Sequence, residues 1–180
     1  MENHEPRLYS YKMTHVTGKA PRVYEKELVL PDCKTHLRDY IRPGSWIAGW
    51  TSKGLKKYKN SKQYATEAGQ ERLIYLALVD SKISPSEYNA HYKGKPTCVP
   101  IEGKKACCDG GCSPEDECKD EAPVLICKEF YHFGLPGIPI DEHRPKVGDR
   151  GECKTVGEQA ALFINYVRQH AAECMKFNKN

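Results

Sequence analysis

The sequence predicts an α+β fold: a compact mixed sheet or partial β-barrel with one short helix and a C-terminal amphipathic helix. Residues 72–79 are apolar on both faces, which is typical of a strand buried within a sheet. From residue 155 onward, apolar residues recur every three or four positions, which indicates a helix. Strands and helices do not alternate strictly along the chain, which favours α+β over α/β. We expect residues 1–180 to form a single domain, because that length suits one hydrophobic core.

The first predicted strand covers residues 7–13, where the side chains alternate with a period of two. Tyr9, Tyr11 and Met13 should therefore share one face of the strand.

A Pro-Gly turn at residues 43–44 introduces the next clear strand, residues 45–51. Trp46 and Trp50 fall on one side of it. Gly49 falls on the other side, where the missing side chain would let a backbone or a flat ligand approach closely.

Two further strands are predicted, a central one at residues 72–79 and a short one at residues 124–127. Residues 128–152 are rich in proline and glycine, and we expect them to be irregular.

Two helices carry start signals. Ser84, Pro85 and Glu87 form the pattern of a capping box at the start of a short helix. Thr155 and Glu158 show the same spacing, which predicts a C-terminal helix of about five turns.

Composition argues against a membrane protein. Charged residues make up 29% of the chain, the mean hydropathy is −0.70, and no apolar run reaches eighteen residues. The first twelve residues lack the basic start and apolar stretch of a secretory leader, so we expect a cytoplasmic protein.

The net charge of +4 is too small for a protein that coats DNA. Five lysines nevertheless fall within residues 53–62, and such a patch suits phosphate binding. A solvated surface loop is the alternative interpretation of the same lysines.

Five of the nine cysteines fall in a segment that we treat as an insertion loop, residues 95–121. One interpretation is a structural zinc site that orders this loop, although only one spacing, C-x3-C, is usual for zinc. The other is a loop with free or oxidised thiols. The candidate zinc ligands are Cys98, Cys107, Cys108, Cys112 and Cys118.

The common catalytic motifs are missing from the sequence. It contains no His-Glu-x-x-His, no Gly-x-Ser-x-Gly and no Gly-x-x-x-x-Gly-Lys phosphate loop. His15 and His132 as general bases, and Cys33 as a nucleophile, are the weak catalytic candidates.

Aromatic and hydroxyl side chains concentrate near the predicted strand ends. Aromatic faces with nearby donors suit stacking and edge recognition of a nucleobase, and lysines suit phosphate. Taken singly, each aromatic residue also fits an ordinary core position. The candidate ligand-binding residues are Tyr9, Ser10, Tyr11, Thr14, His15, Thr17, Gly18, Trp46, Thr51, Ser52, Lys53, Lys57, Phe130, Tyr131 and His132.

Several separated motifs resemble those of one known family. In order, they are "RLYSYKMTHVTGKAP", "LPDCKTHLR", "RPGSWIAGWTSK", "RLIYLALV" and "VLICKEFYHFG". Together they resemble the second of the nucleotide-modification-associated domain families, from about Arg7 to about Gln169. Two departures stand out: "APRVYEK" replaces the family's usual "APNPF", and the cysteine-rich segment has no counterpart.

The resemblance implies a ligand class and a setting. Members occur in bacteria and bacteriophages, often beside genes linked to DNA base modification, so the expected ligand is a nucleotide or a nucleic acid with a modified base. The layout is also similar to small PUA/EVE-like barrels that recognise modified bases, and the expected location is the bacterial cytoplasm, for a host or phage-encoded protein.

The leading functional expectation is a protein that binds a nucleotide or nucleobase without turnover, in DNA base modification or in phage–host conflict. One alternative is an enzyme that modifies a nucleotide or base. Another is a phage protein that sequesters a nucleotide signal of bacterial defence. The oligomeric state stays open.

Overall fold

In the computed structural model, two β-sheets pack against each other and each has a helix on its outer face. The structure describes residues 5–16, 21–24, 26–31, 34–57, 64–92, 121–148 and 151–177.

The larger sheet has five strands: β1 (Arg7–Lys12), β5 (Trp46–Trp50), β7 (Leu73–Leu78), β10 (Glu129–His132) and β11 (Glu152–Val156). Their order in the sheet is β10-β7-β5-β1-β11. Only β1 and β5 pair in parallel, and the other neighbours are antiparallel.

The smaller sheet has four strands: β3 (Arg22–Tyr24), β4 (Glu27–Leu30), β8 (Ser81–Ile83) and β9 (Val124–Cys127). They pair antiparallel in the order β3-β4-β9-β8. A separate two-stranded ribbon joins β2 (His15–Val16) to β6 (Lys56–Lys57) in parallel.

Three helices complete the described part of the chain: α1 (Thr35–Tyr40), α2 (Pro85–Tyr92) and α3 (Gly157–Phe177). The predicted capping box of α2 is confirmed. The Ser84 N–H donates to Glu87 Oε2 at 2.7 Å, and the Glu87 N–H donates to Ser84 Oγ at 3.2 Å.

The two faces of the larger sheet build two separate cores. Tyr9, Tyr11 and Met13 share the face that packs on the smaller sheet, which confirms the predicted alternation. Trp46 and Trp50 lie on the opposite face, beneath α3. The outer face of the smaller sheet is covered by α2.

The predicted α+β class and partial sheet are confirmed, but the described strands form open sheets and no closed barrel. The PUA/EVE-like barrel is therefore not confirmed. Within the described residues, no helix is long and apolar enough to cross a membrane.

Two local predictions need correction. Thr155 does not cap α3, because it lies in β11 and pairs with Leu8 of β1. Residues 128–152 are not wholly irregular, because β10 forms a ladder with β7. The predicted buried strand at 72–79 is confirmed, because β7 is an inner strand that pairs with β10 on one side and β5 on the other. The proposed insertion loop, residues 95–121, lies outside the described residues except for Glu121, so its boundaries stay a prediction.

Candidate functional site

Strand direction brings four chain segments to one edge of the larger sheet. Because β1 and β5 are parallel, with Lys12 opposite Trp50, their carboxyl ends meet at the same edge. β7 and β11 run antiparallel to them, so both strands begin there. Residues that follow β1 and β5 are therefore close to residues that precede β7 and β11.

A cleft of about 400 Å³ lies at this edge, a size within the range of small-molecule sites. We call it the lysine cleft, because three of the residues that line it are lysines. The lining residues are Lys12, Thr14, Lys34, Ser52, Lys53, Gly54, Ala68, Glu71 and Gly151.

Glu71 forms ion pairs with two cations at the lysine cleft, Lys12 and Arg144. It is 5% exposed, and its Oε1 lies 2.6 Å from Lys12 Nζ. Its Oε2 accepts hydrogen bonds from the Gly69 N–H, at 3.0 Å, and from the guanidinium of Arg144. Arg144 comes from the segment before β11 and also donates to the carbonyl oxygen of Gly69 at 2.7 Å.

These contacts keep Glu71 ionised. Burial of the carboxylate alone would raise its pKa, but hydrogen bonds from Lys12, the main chain and Arg144 outweigh burial and lower the pKa to about 2. At neutral pH the carboxylate is thus a fixed negative charge between two cations.

Lys34 also lines the cleft and directly precedes α1. Its φ of 52° places it in the left-handed region, which long side chains adopt rarely and which is enriched at functional sites. The ammonium lies 4.7 Å from the centroid of the Tyr11 ring, within the range of a cation–π contact.

The Tyr11 ring, which Lys34 contacts, is fixed by a hydrogen bond and by packing. Tyr11 and Tyr75 join their hydroxyls in a 2.6 Å hydrogen bond. Tyr75 in turn packs on Gly49, where an added Cβ would lie 2.3 Å from the Tyr75 ring. Gly49 therefore allows a close approach, as the sequence predicted, but by a side chain of the protein itself.

The end of β5 contributes Ser52 and Lys53. Ser52 Oγ donates to the carbonyl oxygen of Met13 at 2.7 Å, which ties the end of β5 to the end of β1. Lys53 is 78% exposed at its side chain and lies 3.3 Å from Glu67, which is 68% exposed. Ion pairs this exposed contribute little, so Lys53 can change partners at small cost.

The arrangement suits an anion. Lys12, Lys34, Lys53 and Arg144 carry four positive charges, and Glu67 and Glu71 carry two negative ones. The six side chains therefore leave a net charge of two positive. Hydroxyls and main-chain groups near such cations commonly contribute further contacts to phosphate.

A comparison with known families places the chain. The sequence profile of the family described as nucleotide modification associated domain 2 matches residues 5–112, which is more than half of the 180 residues. The chain belongs to the nucleotide modification associated domain 2 family. No curated protein and no solved structure matches it. The matched range contains Lys12, Lys34, Lys53 and Glu71, whereas the expected later part of the resemblance, up to about Gln169, lies beyond it.

In this member of the nucleotide modification associated domain 2 family, the lysine cleft brings together three of the predicted ligand-binding residues: Thr14, Ser52 and Lys53. Tyr11 lies beneath Lys34. Thr51 is buried, and its hydroxyl pairs with Thr66 at 2.7 Å and accepts from the Arg72 N–H at 2.7 Å. Thr51 therefore connects the end of β5 to Thr66 and to the residue before β7.

The structure does not bring Trp46 and Tyr11 together, although both are among the predicted ligand-binding residues. Trp46 begins β5 and faces α3, so it lies on the opposite face and at the opposite end of the strand. The Arg168 guanidinium covers its ring at 5.1 Å. Tyr9 contacts the ring of Tyr40, with centroids 5.8 Å apart, and is buried.

Two other predicted groups also lie away from the cleft. Ser10 is fully buried on the α3 face of β1. Phe130, Tyr131 and His132 lie on β10, which β7 and β5 separate from β1. Desolvation lowers the pKa of His132 to about 4, so its imidazole is neutral at pH 7.

The remaining predicted residues lie outside what the structure describes. These are Thr17, Gly18, Cys33 and the five candidate zinc ligands, together with the side chains of His15 and Lys57. Among the described residues, no cluster of three His, Cys, Asp or Glu side chains could hold a metal ion.

Lys12, Lys34 and Glu71 line the cleft but are not among the ligand-binding residues predicted from the sequence. The position of Lys12 could have been noticed in the sequence. Lys12 follows Leu8 and Ser10 at a spacing of two, so it lies on the same face of β1 as these two buried residues. Glu71 lies just before the apolar run of β7, where charged residues are common, so the sequence does not distinguish it from an ordinary residue at the start of a strand.

Proposed function

We propose that the lysine cleft binds the phosphate-bearing part of a nucleotide and that the protein holds this ligand without chemical turnover. The observation that carries the proposal is the convergence of Lys12, Lys34 and Lys53 at one cleft, with the Glu71 charge already compensated by Lys12 and Arg144. Membership of a nucleotide modification associated family supports the ligand class.

Binding, rather than catalysis, agrees with the electrostatics of the described residues. A general base works best with a pKa near the working pH. The pKa of Glu71 is about 2, so this carboxylate has little tendency to accept a proton at pH 7. His132, the other acid–base candidate whose surroundings the structure describes, lies on β10, which two strands separate from β1.

The family description supports a role for such a protein in nucleotide modification. A binder of free or polymeric nucleotides could present a modified base to a modification system or withhold a nucleotide from one. We therefore propose nucleotide binding in DNA base modification or in phage–host conflict as the cellular function.

Isothermal titration calorimetry tests the proposal with ribo- and deoxyribonucleoside 5′-phosphates and with short single-stranded DNA, unmodified and base-modified. We expect measurable binding of at least one of these ligands. Lys34→Gln should weaken it about tenfold or more, because a hydrogen bond to a charged group contributes about 1.5 to 3 kcal/mol.

Lys128→Gln is the matched control. Like Lys53, Lys128 is an exposed lysine with an acidic partner, and its Nζ lies 2.8 Å from Asp80, but it lies before β10 at the opposite end of the sheet. This variant should bind like the wild type. Mass spectrometry should recover the ligand unchanged after binding. Absence of heat with every nucleotide and oligonucleotide would refute the proposed function, and a chemically altered ligand would refute the claim of binding without turnover.

A further inference from the structure

We infer that the lysine cleft selects a terminal phosphate monoester, so that its ligand is a free nucleotide or a phosphorylated chain end and not an internal phosphodiester. The inference rests on the proposed function and specifies its ligand.

Charge balance is the first argument. Among the described residues, the charged side chains that line the cleft or form ion pairs with its lining are Lys12, Lys34, Lys53, Arg144, Glu67 and Glu71, and they sum to two positive charges. A phosphate monoester carries between about 1.5 and 2 negative charges at pH 7, because its second pKa is about 6. An internal phosphodiester carries one. The monoester therefore matches the charge of the cleft and the diester leaves part of it uncompensated.

The second argument is that only two of the four cations, Lys12 and Arg144, form ion pairs with Glu71. Glu71 holds Lys12 on one carboxylate oxygen and Arg144 on the other, so these two cations are largely committed to it. Lys34 and Lys53 are the other two cations, and they come from two separate segments, one before α1 and one after β5. Two cations from separate segments can contact different oxygens of one phosphate, and a terminal phosphate offers three such oxygens.

The size of the site is the third argument. A volume of about 400 Å³ is near the lower end of the range for small-molecule pockets, which suits one nucleotide better than several consecutive ones. Its lining comes from the ends of β1 and β5 and from the residues before α1, β7 and β11. Such a local site differs from the extended basic groove that tracks a single strand.

A pair of dinucleotides provides the test. Calorimetry with the intact protein would compare pTpT with TpT, and likewise the homodinucleotides of the other three bases, so that base preference does not hide the effect. The 5′-methyl phosphate ester of each dinucleotide is the matched ligand, because it keeps the bulk of the terminal phosphate and removes one charge.

We expect the free terminal phosphate to bind at least tenfold more tightly than either the unphosphorylated or the methylated dinucleotide. In Lys34→Gln and in Lys53→Gln this ratio should fall to about twofold, whereas Lys128→Gln should retain it. Equal affinity of the wild type for all three forms would overturn the inference while leaving nucleotide binding intact. Absence of binding by mononucleotides, dinucleotides and oligonucleotides alike would overturn both.

Discussion

Replacing Glu71 by Gln removes the charge that holds Lys12 and Arg144 together at the cleft, and the size of the effect follows from the pKa. The carboxyl has a pKa of about 2 in the folded protein against an ordinary value of 4.5. Each pKa unit corresponds to about 1.4 kcal/mol, so the ionised group stabilises the fold by on the order of 3 kcal/mol.

The sign of the pH dependence is fixed by the direction of the shift. A carboxyl whose pKa is lowered by folding contributes its full stabilisation above its unfolded pKa and loses it as the pH falls toward the folded pKa. The wild type should therefore exceed Glu71→Gln in free energy of unfolding by about 3 kcal/mol at pH 7. Roughly half of that difference should be gone by about pH 3.

Urea denaturation at pH 7 and at pH 3 measures this difference. The fluorescence of the two tryptophans, Trp46 and Trp50, reports unfolding because both are buried. Glu67→Gln is the control: its carboxylate is 68% exposed beside Lys53, so its loss should change stability by less than about 0.5 kcal/mol. A difference between wild type and Glu71→Gln that is small at pH 7, or that stays constant down to pH 3, would refute this account of the site.

Three further predictions concern the scaffold. Gly49→Ala should lower the free energy of unfolding by about 1 to 3 kcal/mol, because the new Cβ would lie 2.3 Å from the buried Tyr75 ring, and unchanged urea denaturation would contradict this packing. Arg38→Leu should lower the free energy of unfolding by about 2 to 4 kcal/mol, because the buried guanidinium donates hydrogen bonds to three main-chain carbonyl oxygens. An unchanged melting temperature would contradict that role. Ser84→Ala should cost about 1 kcal/mol by removing the acceptor of the Glu87 N–H, whereas equal stability in urea would show that the cap contributes nothing.

The side-chain alternation of β1 and β5 could be predicted from the sequence because it depends only on the local period of two. That period placed Tyr9, Tyr11 and Met13 on one face correctly, and the capping box at Ser84 is equally local. The pairing of strands is not local. Thr155 lies more than a hundred residues from Leu8, and it was assigned to a helix start because nothing near it indicates a ladder with β1.

The candidate site shows the same division. Thr14, Ser52 and Lys53 directly follow predicted strands, so the sequence could indicate that they lie at strand ends. The sequence could not indicate which strand ends meet in the fold. Trp46 and Trp50 share a face of β5, but roughly 13 Å of strand separates them. The cleft lies at the Trp50 end because β1 pairs with β5 in parallel, which brings the end of β1 to the end of β5.

Glu71 illustrates why the electrostatic core of the cleft escaped prediction. Its burial is possible only because Lys12 and Arg144 arrive from segments far away in sequence. The ligand-binding roles of the predicted residues stay predictions until a nucleotide is shown to bind.

Mapping lysine acetylation by mass spectrometry, with and without a saturating nucleotide, locates the ligand on the protein. We expect bound nucleotide to protect Lys34 and Lys53, which line the cleft, and to leave the acetylation of Lys128, at the opposite end of the sheet, unchanged. Protection of other lysines while Lys34 and Lys53 react as freely as in the unliganded protein would show that the nucleotide does not bind at the lysine cleft.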